Sequence, residues 1–252
     1  MALDFNMCFK EYINSTDKNN TRIIQDFNSE NEIRNDYRGR EIYEMLQNAE
    51  DAGAEAKNEI EVVIDYSDDV ISIANKGGKP FSDEGFTSIM RANQSSKIEE
   101  KLIGNKGLGF RSILNWAEEI EIHSKNTKCT FSEKIASEKW VEIQQKIESN
   151  IGEKKVKAFV KHVYKNQKAK WPDAKCPVAI LPLPKYEKTV KSKDYTTKIT
   201  IRLKDDEEIV ENIVEQLNSL DERTLLFLTW CKSITISGNK IENRIITCDK
   251  SK

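Results

Sequence analysis

The stretch Tyr37–Ala52, YRGREIYEMLQNAEDA, carries two patterns at once. At ~100° per residue, Ile42, Met45, Leu46, Ala49 and Ala52 gather on one arc, the stripe a helix lays on a sheet. Glu44, Asn48 and Asp51, spaced four and three apart, share a second face turned away from the centre of that arc. The spacing predicts a helix with an apolar side for packing and a carboxylate–carboxamide edge left over. Gly53 is expected to end it. On this helix alone, an ordinary solvated face explains the polar edge equally well.

Downstream, Ile60–Asp65 (IEVVID) and Val70–Ala74 (VISIA) are β-type runs joined by Tyr66–Asp69, a hairpin pattern. Asn75–Pro80 (NKGGKP) is a turn-rich break, and Phe81–Met90 reads as a helix with Ser82 as N-cap. Arg91–Asn105 is polar and poorly periodic, a loop pattern. Gly107–Trp116 (GLGFRSILNW) reads as a glycine turn opening into a short helix, followed by strands at Glu119–His123 and Cys129–Ser132. Glu133–Ile147 has helical spacing, and Glu153–Lys175 is lysine-rich. Val178–Leu183 is expected to be a strand closed by Pro182 and Pro184. In Thr196–Leu203 (TTKITIRL), Ile199, Ile201 and Leu203 alternate with polar residues, a strong strand signal. Helices at Glu207–Leu217 and Glu222–Trp230 lead to a strand pair, Ser233–Ser237 and Lys240–Thr247.

Composition narrows the function classes. The 252 residues hold Lys+Arg 40 against Asp+Glu 42, a formal net charge of -2, whereas a dedicated nucleic-acid binder should be basic. The lysine run Lys154–Lys175 is a local basic stretch, and such runs are usually solvated faces. Cys8, Cys129, Cys176, Cys231 and Cys248 are scattered, with no metal-ligand spacing and no disulfide framework. No signal peptide or membrane span is read, so a cytoplasmic protein is expected.

Three segments carry chemistry together. On the helix edge, an Asn48 oxygen suits Mg2+, which prefers hard oxygen ligands, and the Glu44 carboxylate suits a base that deprotonates water. After the second strand, Asn75 can accept from an exocyclic amine and donate to a ring nitrogen, while Gly77 lets backbone approach a flat ligand. In IGNKGLGFRSIL, Gly104, Gly107 and Gly109 free a run of N–H groups before a helix N-terminus, an anion cradle. The spacing is neither a Walker A loop nor a dinucleotide fingerprint. His123 and His162, the only histidines, lack a phosphoacceptor context, and Ser112 follows no nucleophile elbow.

Helix E-x-x-x-N-x-x-D, strand N-x-G, then G-x-x-G-x-G resembles the GHKL superfamily of Bergerat-fold ATPases. QNAEDAGA, NKGGKPF, QSSK and GNKGLGFRSIL resemble most the sacsin-like ATP-binding proteins. The similarity covers Tyr37–Ser124 and resumes at TTKITIRLKDD, which is similar to the chaperone strand that closes an adenine pocket. It implies an α/β (α+β) two-layer sandwich: a mixed, mostly antiparallel sheet with helices on one face and an ATP lid. It further implies Glu44 as catalytic base and Asn48 as Mg2+ ligand. Asp51, Ala52, Asn75, Gly77, Pro80, Phe81 and Thr197 would line the nucleotide pocket. Ser95, Ser96 and Lys97 would lie in the lid. Gly104, Asn105, Lys106, Gly107, Leu108, Gly109 and Phe110 would meet the phosphates. The chain departs from the superfamily at Asn75, where Asp is usual, and at Lys79, where a further glycine is usual.

The expected organisation is an N-terminal segment over 1–36 and an ATP-binding domain over 37–252. That domain comprises a core at 37–125, an insertion at 126–177, and a closing sheet with helices at 178–252. The expected activity is slow Mg2+-dependent ATP hydrolysis that closes the lid and drives conformational change. Expected partners are further domains of a larger polypeptide or a second copy, in an ATP-dependent homodimer. A sensor that binds ATP without turnover is the alternative from another class. A nucleic-acid-linked ATPase module using the lysine segment is a further one.

Overall fold

The computed structural model describes residues 22–36, 38–91, 109–139 and 179–247. Its centre is one eight-stranded sheet, in the spatial order β5-β4-β3-β6-β2-β1-β7-β8. In chain order the strands are β1 (Ile60–Ser67), β2 (Val70–Lys76), β3 (Ala117–Ser124), β4 (Thr127–Ser132), β5 (Lys185–Lys188), β6 (Thr197–Leu203), β7 (Cys231–Gly238) and β8 (Arg244–Thr247). Every adjacent pair is antiparallel except β1 and β7, which run parallel. Among the described residues the helices are α1 (Arg22–Asp36), α2 (Glu41–Ala56), α3 (Asp83–Arg91), α4 over 133–139, α5 (Glu207–Ser219) and α6 (Glu222–Leu226). A 3-10 helix spans Gly109–Asn115. The molecule is an α+β two-layer sandwich, as the sequence led us to expect.

Alternation along the strands decides which face is covered. Ile71, Ile201, Ile120 and Phe131 form one row across four neighbouring strands, and Ile73, Ile199, Ile122 and Cys129 form the next. All eight are buried, and α2, the 3-10 helix and α5 cover them. The opposite face carries half-exposed Val63 and exposed Ile245. One row nearer the sheet end, the same inward-facing columns stop being apolar. Asn75 of β2 pairs with Thr197 of β6, and Thr197 pairs with Ser124 of β3. A buried polar row therefore ends the hydrophobic core, and it lies where the glycine turn begins.

Four expectations need correction or extension. Gly53 does not end α2, which runs to Ala56 and is capped by Lys57 in the left-handed conformation (φ 51). Gly53 is instead a contact residue: a Cβ there would lie 2.8 Å from Trp230 Cβ and 3.1 Å from Ile60 Cγ2. Ala179–Leu183 is turn, not strand. Its N–H groups go elsewhere, since Ile180 and Leu181 donate to the Glu30 carboxylate at 2.9 and 3.2 Å. Pro182 and Pro184 have no N–H to give a ladder. The 222–230 helix stops at Leu226, and Trp230 and Cys231 turn their N–H groups onto Glu50 of α2. Conversely α1 and the short edge strand β5 were not anticipated. α1 packs on the 3-10 helix, and β5 is charged at Lys185, Glu187 and Lys188, as befits an edge strand.

Candidate functional site

Along α2 the residues sort by angle into three strips. Ile42, Met45, Leu46, Ala49 and Gly53 are buried, and Tyr43, Gln47 and Ala54 are exposed. Glu44, Asn48, Asp51 and Ala52 lie on the shoulder between the strips and are half-buried. That shoulder meets other elements at its two ends.

At the N-terminal end, the Glu44 carboxylate fills the space beside Gly109 that a Cβ would occupy, with Oε2 the nearest atom. Only glycine admits a carboxylate this close to the 3-10 helix. Ser112 Oγ donates to Gly109 C=O at 2.7 Å, fixing that turn, and Phe110 is buried behind it. Burial raises the pKa of Glu44 above the usual carboxylate range, and the positive charge of Arg40 partly opposes this. A carboxylate with a raised proton affinity, still reachable by solvent, suits proton abstraction.

Glu41, one turn earlier, is a different kind of residue. It is fully buried, and its oxygens accept from Gly39 N–H at 2.9 Å, Gln216 Nε2 at 2.6 Å and Asn115 Nδ2 at 3.4 Å. Those bonds use its acceptor capacity for structure. Glu44 has no such set of donors and lies half-buried beside Gly109.

At the C-terminal end, Lys79 N–H donates to Ala52 C=O at 2.8 Å, drawing the NKGGKP turn onto the helix. A Cβ on Gly78 would lie 2.8 Å from Asn75 Nδ2 and 3.0 Å from Ala52 Cβ. Gly77 has φ +97, a conformation glycine adopts without strain, and its N–H reaches Thr196 Oγ1 at 3.3 Å. Phe81 N–H donates to Ser124 Oγ at 2.9 Å, and Ser124 Oγ lies 2.8 Å from Thr197 Oγ1. Pro80 is half-buried in this turn, and the Phe81 ring stands 4.9 Å from Phe86. Asn75 is 7 % exposed, and its Nδ2 has no hydrogen-bond partner. Burying an amide donor without a partner costs about 1–3 kcal/mol, so the position is prepared for a ligand atom that accepts or is stabilised by something else.

The two ends are eight residues apart, which at 1.5 Å per residue is about 12 Å. Glu44 and Gly109 meet at one end of the helix shoulder, and Ala52 meets the turn of Gly78 and Lys79 at the other, with Asn48 and Asp51 between them on α2; beyond that turn Asn75 pairs with Thr197 in the sheet and Phe81 bonds Ser124. Ser95, Ser96, Lys97, Gly104, Asn105, Lys106, Gly107 and Leu108 lie outside the described residues. Among the described residues, no group of three or more His, Cys, Asp or Glu could hold a metal ion. None of their helices is long and apolar enough to cross a membrane.

Sequence reading missed Ser124. It ends a strand with no motif of its own, and only the β3–β6 register places it beside Thr197. It also missed a buried charged group under the 3-10 helix, where Arg111 lies in the field of Glu30 and Asp26. His123, expected to be structural, bonds Tyr195 OH at 2.6 Å and Val190 C=O at 3.2 Å.

Fold and site define an α+β two-layer sandwich with a buried polar row between a helix shoulder and the end of a sheet, the candidate cleft. Within that class the chain belongs to the Sacsin-domain family, whose model matches residues 28–245. The match runs from α1 into β8 and so takes in both ends of the cleft. A comparison with curated proteins returns no match.

Proposed function

We propose that this cleft binds ATP with Mg2+ in a GHKL-type arrangement and hydrolyses the γ-phosphate slowly. The observation that carries the reading is the double contact of one helix shoulder. Its Glu44 end touches Gly109 at the start of the glycine-led 3-10 helix, and its Ala52 end touches the Asn75–Gly78 turn. Base and phosphates of one nucleotide would lie at opposite ends of about 12 Å of helix. Sacsin-domain membership supports the reading.

Two features test the fit. The buried Asn75 amide offers a donor that no protein group uses, as a base edge requires. Glycine at 109 and 78 lets Glu44 and Asn75 come close to the backbone at the ends where phosphate and base would lie. Asn48 would hold Mg2+ through its amide oxygen, with the other positions left to phosphate oxygens and water, as Mg2+ prefers. The metal would neutralise charge on the phosphates. Glu44 takes a proton from water as its oxygen bonds to the γ-phosphorus and the bond to the leaving ADP oxygen breaks. Positioning supplies most of the acceleration in such transfers.

Lid closure over ATP would then favour docking of further domains of the polypeptide or of a second copy, with hydrolysis as the timer. The cytoplasm is the compartment this reading implies. The test is calorimetry with ATP and a non-hydrolysable analogue, with and without Mg2+, alongside phosphate release by wild type and Glu44→Ala. Retained binding with lost release in the variant is the expected result. Binding without release in both proteins would make the domain a sensor, and no binding would end the proposal.

A further inference from the structure

We infer that Asn75 and the Ser124–Thr197 hydroxyl pair read the purine without fixed polarity, so that the cleft accepts both 6-amino and 6-oxo purine triphosphates. The inference rests on the cleft being a purine nucleotide site and concerns which purines it takes.

A site selects a base edge with groups of fixed polarity, because a donor cannot become an acceptor. Several backbone groups at this end are already committed. Gly77 N–H goes to Thr196 Oγ1, and Gly77 C=O accepts from Asn58 Nδ2 at 2.9 Å. Lys79 N–H goes to Ala52 C=O, Thr196 N–H to Asn75 C=O at 2.8 Å, and Phe81 N–H to Ser124 Oγ. What remains facing the cleft can change sign. The Asn75 carboxamide presents Oδ1 or Nδ2 depending on a half-turn of its terminal torsion. That turn breaks no bond of Nδ2, which has no partner. The Thr197 and Ser124 hydroxyls lie 2.8 Å apart, and either can be the donor. When Ser124 donates to Thr197, the Thr197 proton is left for a ligand; when Thr197 donates to Ser124, the Ser124 proton goes to Thr196 C=O, 3.3 Å away, and the Thr197 oxygen can accept.

Adenine offers a donor at N6 and an acceptor at N1. Asn75 Oδ1 meets the first and the Thr197 hydroxyl proton the second. Hypoxanthine and guanine offer an acceptor at O6 and a donor at N1. Asn75 Nδ2 meets the first and the Thr197 oxygen the second. The same three side chains satisfy both edges, each in one of two orientations. A carboxylate at position 75 would remove this freedom, since it can only accept.

Inosine triphosphate is the natural probe, because it differs from ATP only at position 6 and in the proton on N1. Calorimetry would compare ATP, inosine triphosphate and UTP on the wild-type chain and on Asn75→Asp, with thermal melts confirming that the variant folds. Wild type should bind ATP and inosine triphosphate within about tenfold of each other, and UTP more weakly. Asn75→Asp should weaken inosine triphosphate by about ten- to a hundredfold more than ATP, the cost of O6 facing an acceptor. Wild type that binds ATP but takes inosine triphosphate about a hundredfold more weakly overturns the inference alone. Equal losses for both nucleotides in Asn75→Asp also overturn it, because Asn75 would then be a structural residue. Wild type that binds no purine triphosphate overturns the site itself. The wild-type comparison decides the matter even where the variant fails to fold.

Discussion

Gly109→Ala perturbs the contact on which the functional reading stands. The added methyl would overlap the Glu44 carboxylate, with Oε2, Cδ and Cγ its nearest neighbours. All three atoms belong to the far end of a flexible, half-buried side chain, so Glu44 can swing toward solvent. Forcing a side chain off its rotamer costs about 0.5–1.5 kcal/mol. Gly109 is not among the residues with positive φ, so alanine adds no backbone strain there. Stability should therefore fall by only about 1 kcal/mol, which urea unfolding can resolve. Turnover should fall far more, because general-base catalysis contributes about 10²–10⁴-fold and needs the base within hydrogen-bond reach. The assay is single-turnover phosphate release with ATP binding measured in parallel. Glu44→Ala added to Gly109→Ala should cost no further rate, since the base is already displaced. Near-wild-type turnover by Gly109→Ala would refute the role of Glu44. Loss of more than about 3 kcal/mol would refute the claim that the carboxylate is free to move.

Arg40→Met should shift the acid limb of the rate profile to higher pH. Burial already raises the Glu44 pKa and Arg40 opposes it, so removing the cation leaves less of the ionised base at a given low pH; an unmoved limb would disprove the coupling. Gly53→Ala should destabilise by about 1–3 kcal/mol in urea, despite the better helix propensity of alanine, because its Cβ meets Trp230 and Ile60. Glu30→Ala should cost about 3 kcal/mol or more, measured the same way, because it strands the N–H groups of Ile180 and Leu181 and a buried Arg111. Lys204, which donates to Leu114 C=O and Asn115 C=O, has its pKa lowered to about 8, by burial first and then by Arg34. Between about pH 8 and its unfolded value the unfolded chain binds more protons, so wild-type stability should rise with pH there relative to Lys204→Met; parallel curves would disprove it.

The sheet and α2 were legible because their periodicities are local. In TTKITIRL, Ile199, Ile201 and Leu203 alternate with polar residues and are buried, and the β-type runs IEVVID and VISIA are both strands. What failed depended on partners far away in the chain. Gly53 reads as a stop by propensity, yet Trp230 and Ile60 close on it and the helix runs one turn further. The 179–183 run is apolar and buried like a strand, but Glu30, some 150 residues earlier, takes its N–H groups instead of a neighbouring ladder. β5 was hidden for the opposite reason. KYEK carries no apolar alternation, because an edge strand buries little, and its pairing with β4 supplies the order.

The site shows the same division with one useful inversion. Glu44, Asn48 and Asp51 were found because helical spacing alone puts them on one face. Whether that face was a site or a solvated surface could not be decided from spacing, since both give the same charges. Burial and glycine contact are what spacing leaves out. An ordinary surface helix presents its charges at the angle farthest from the core, whereas here they occupy the shoulder, half-covered, with glycine at each end where a side chain would intrude. Two glycines facing one helix edge from different elements are costly in chain entropy and contribute no packing of their own. The unpartnered Asn75 amide lies at one of those two glycines and not in the middle of the apolar rows. Close glycine packing and an unmet hydrogen-bond donor thus coincide at the end of the sheet, where the flat polar edge of the proposed ligand would meet the Asn75 amide.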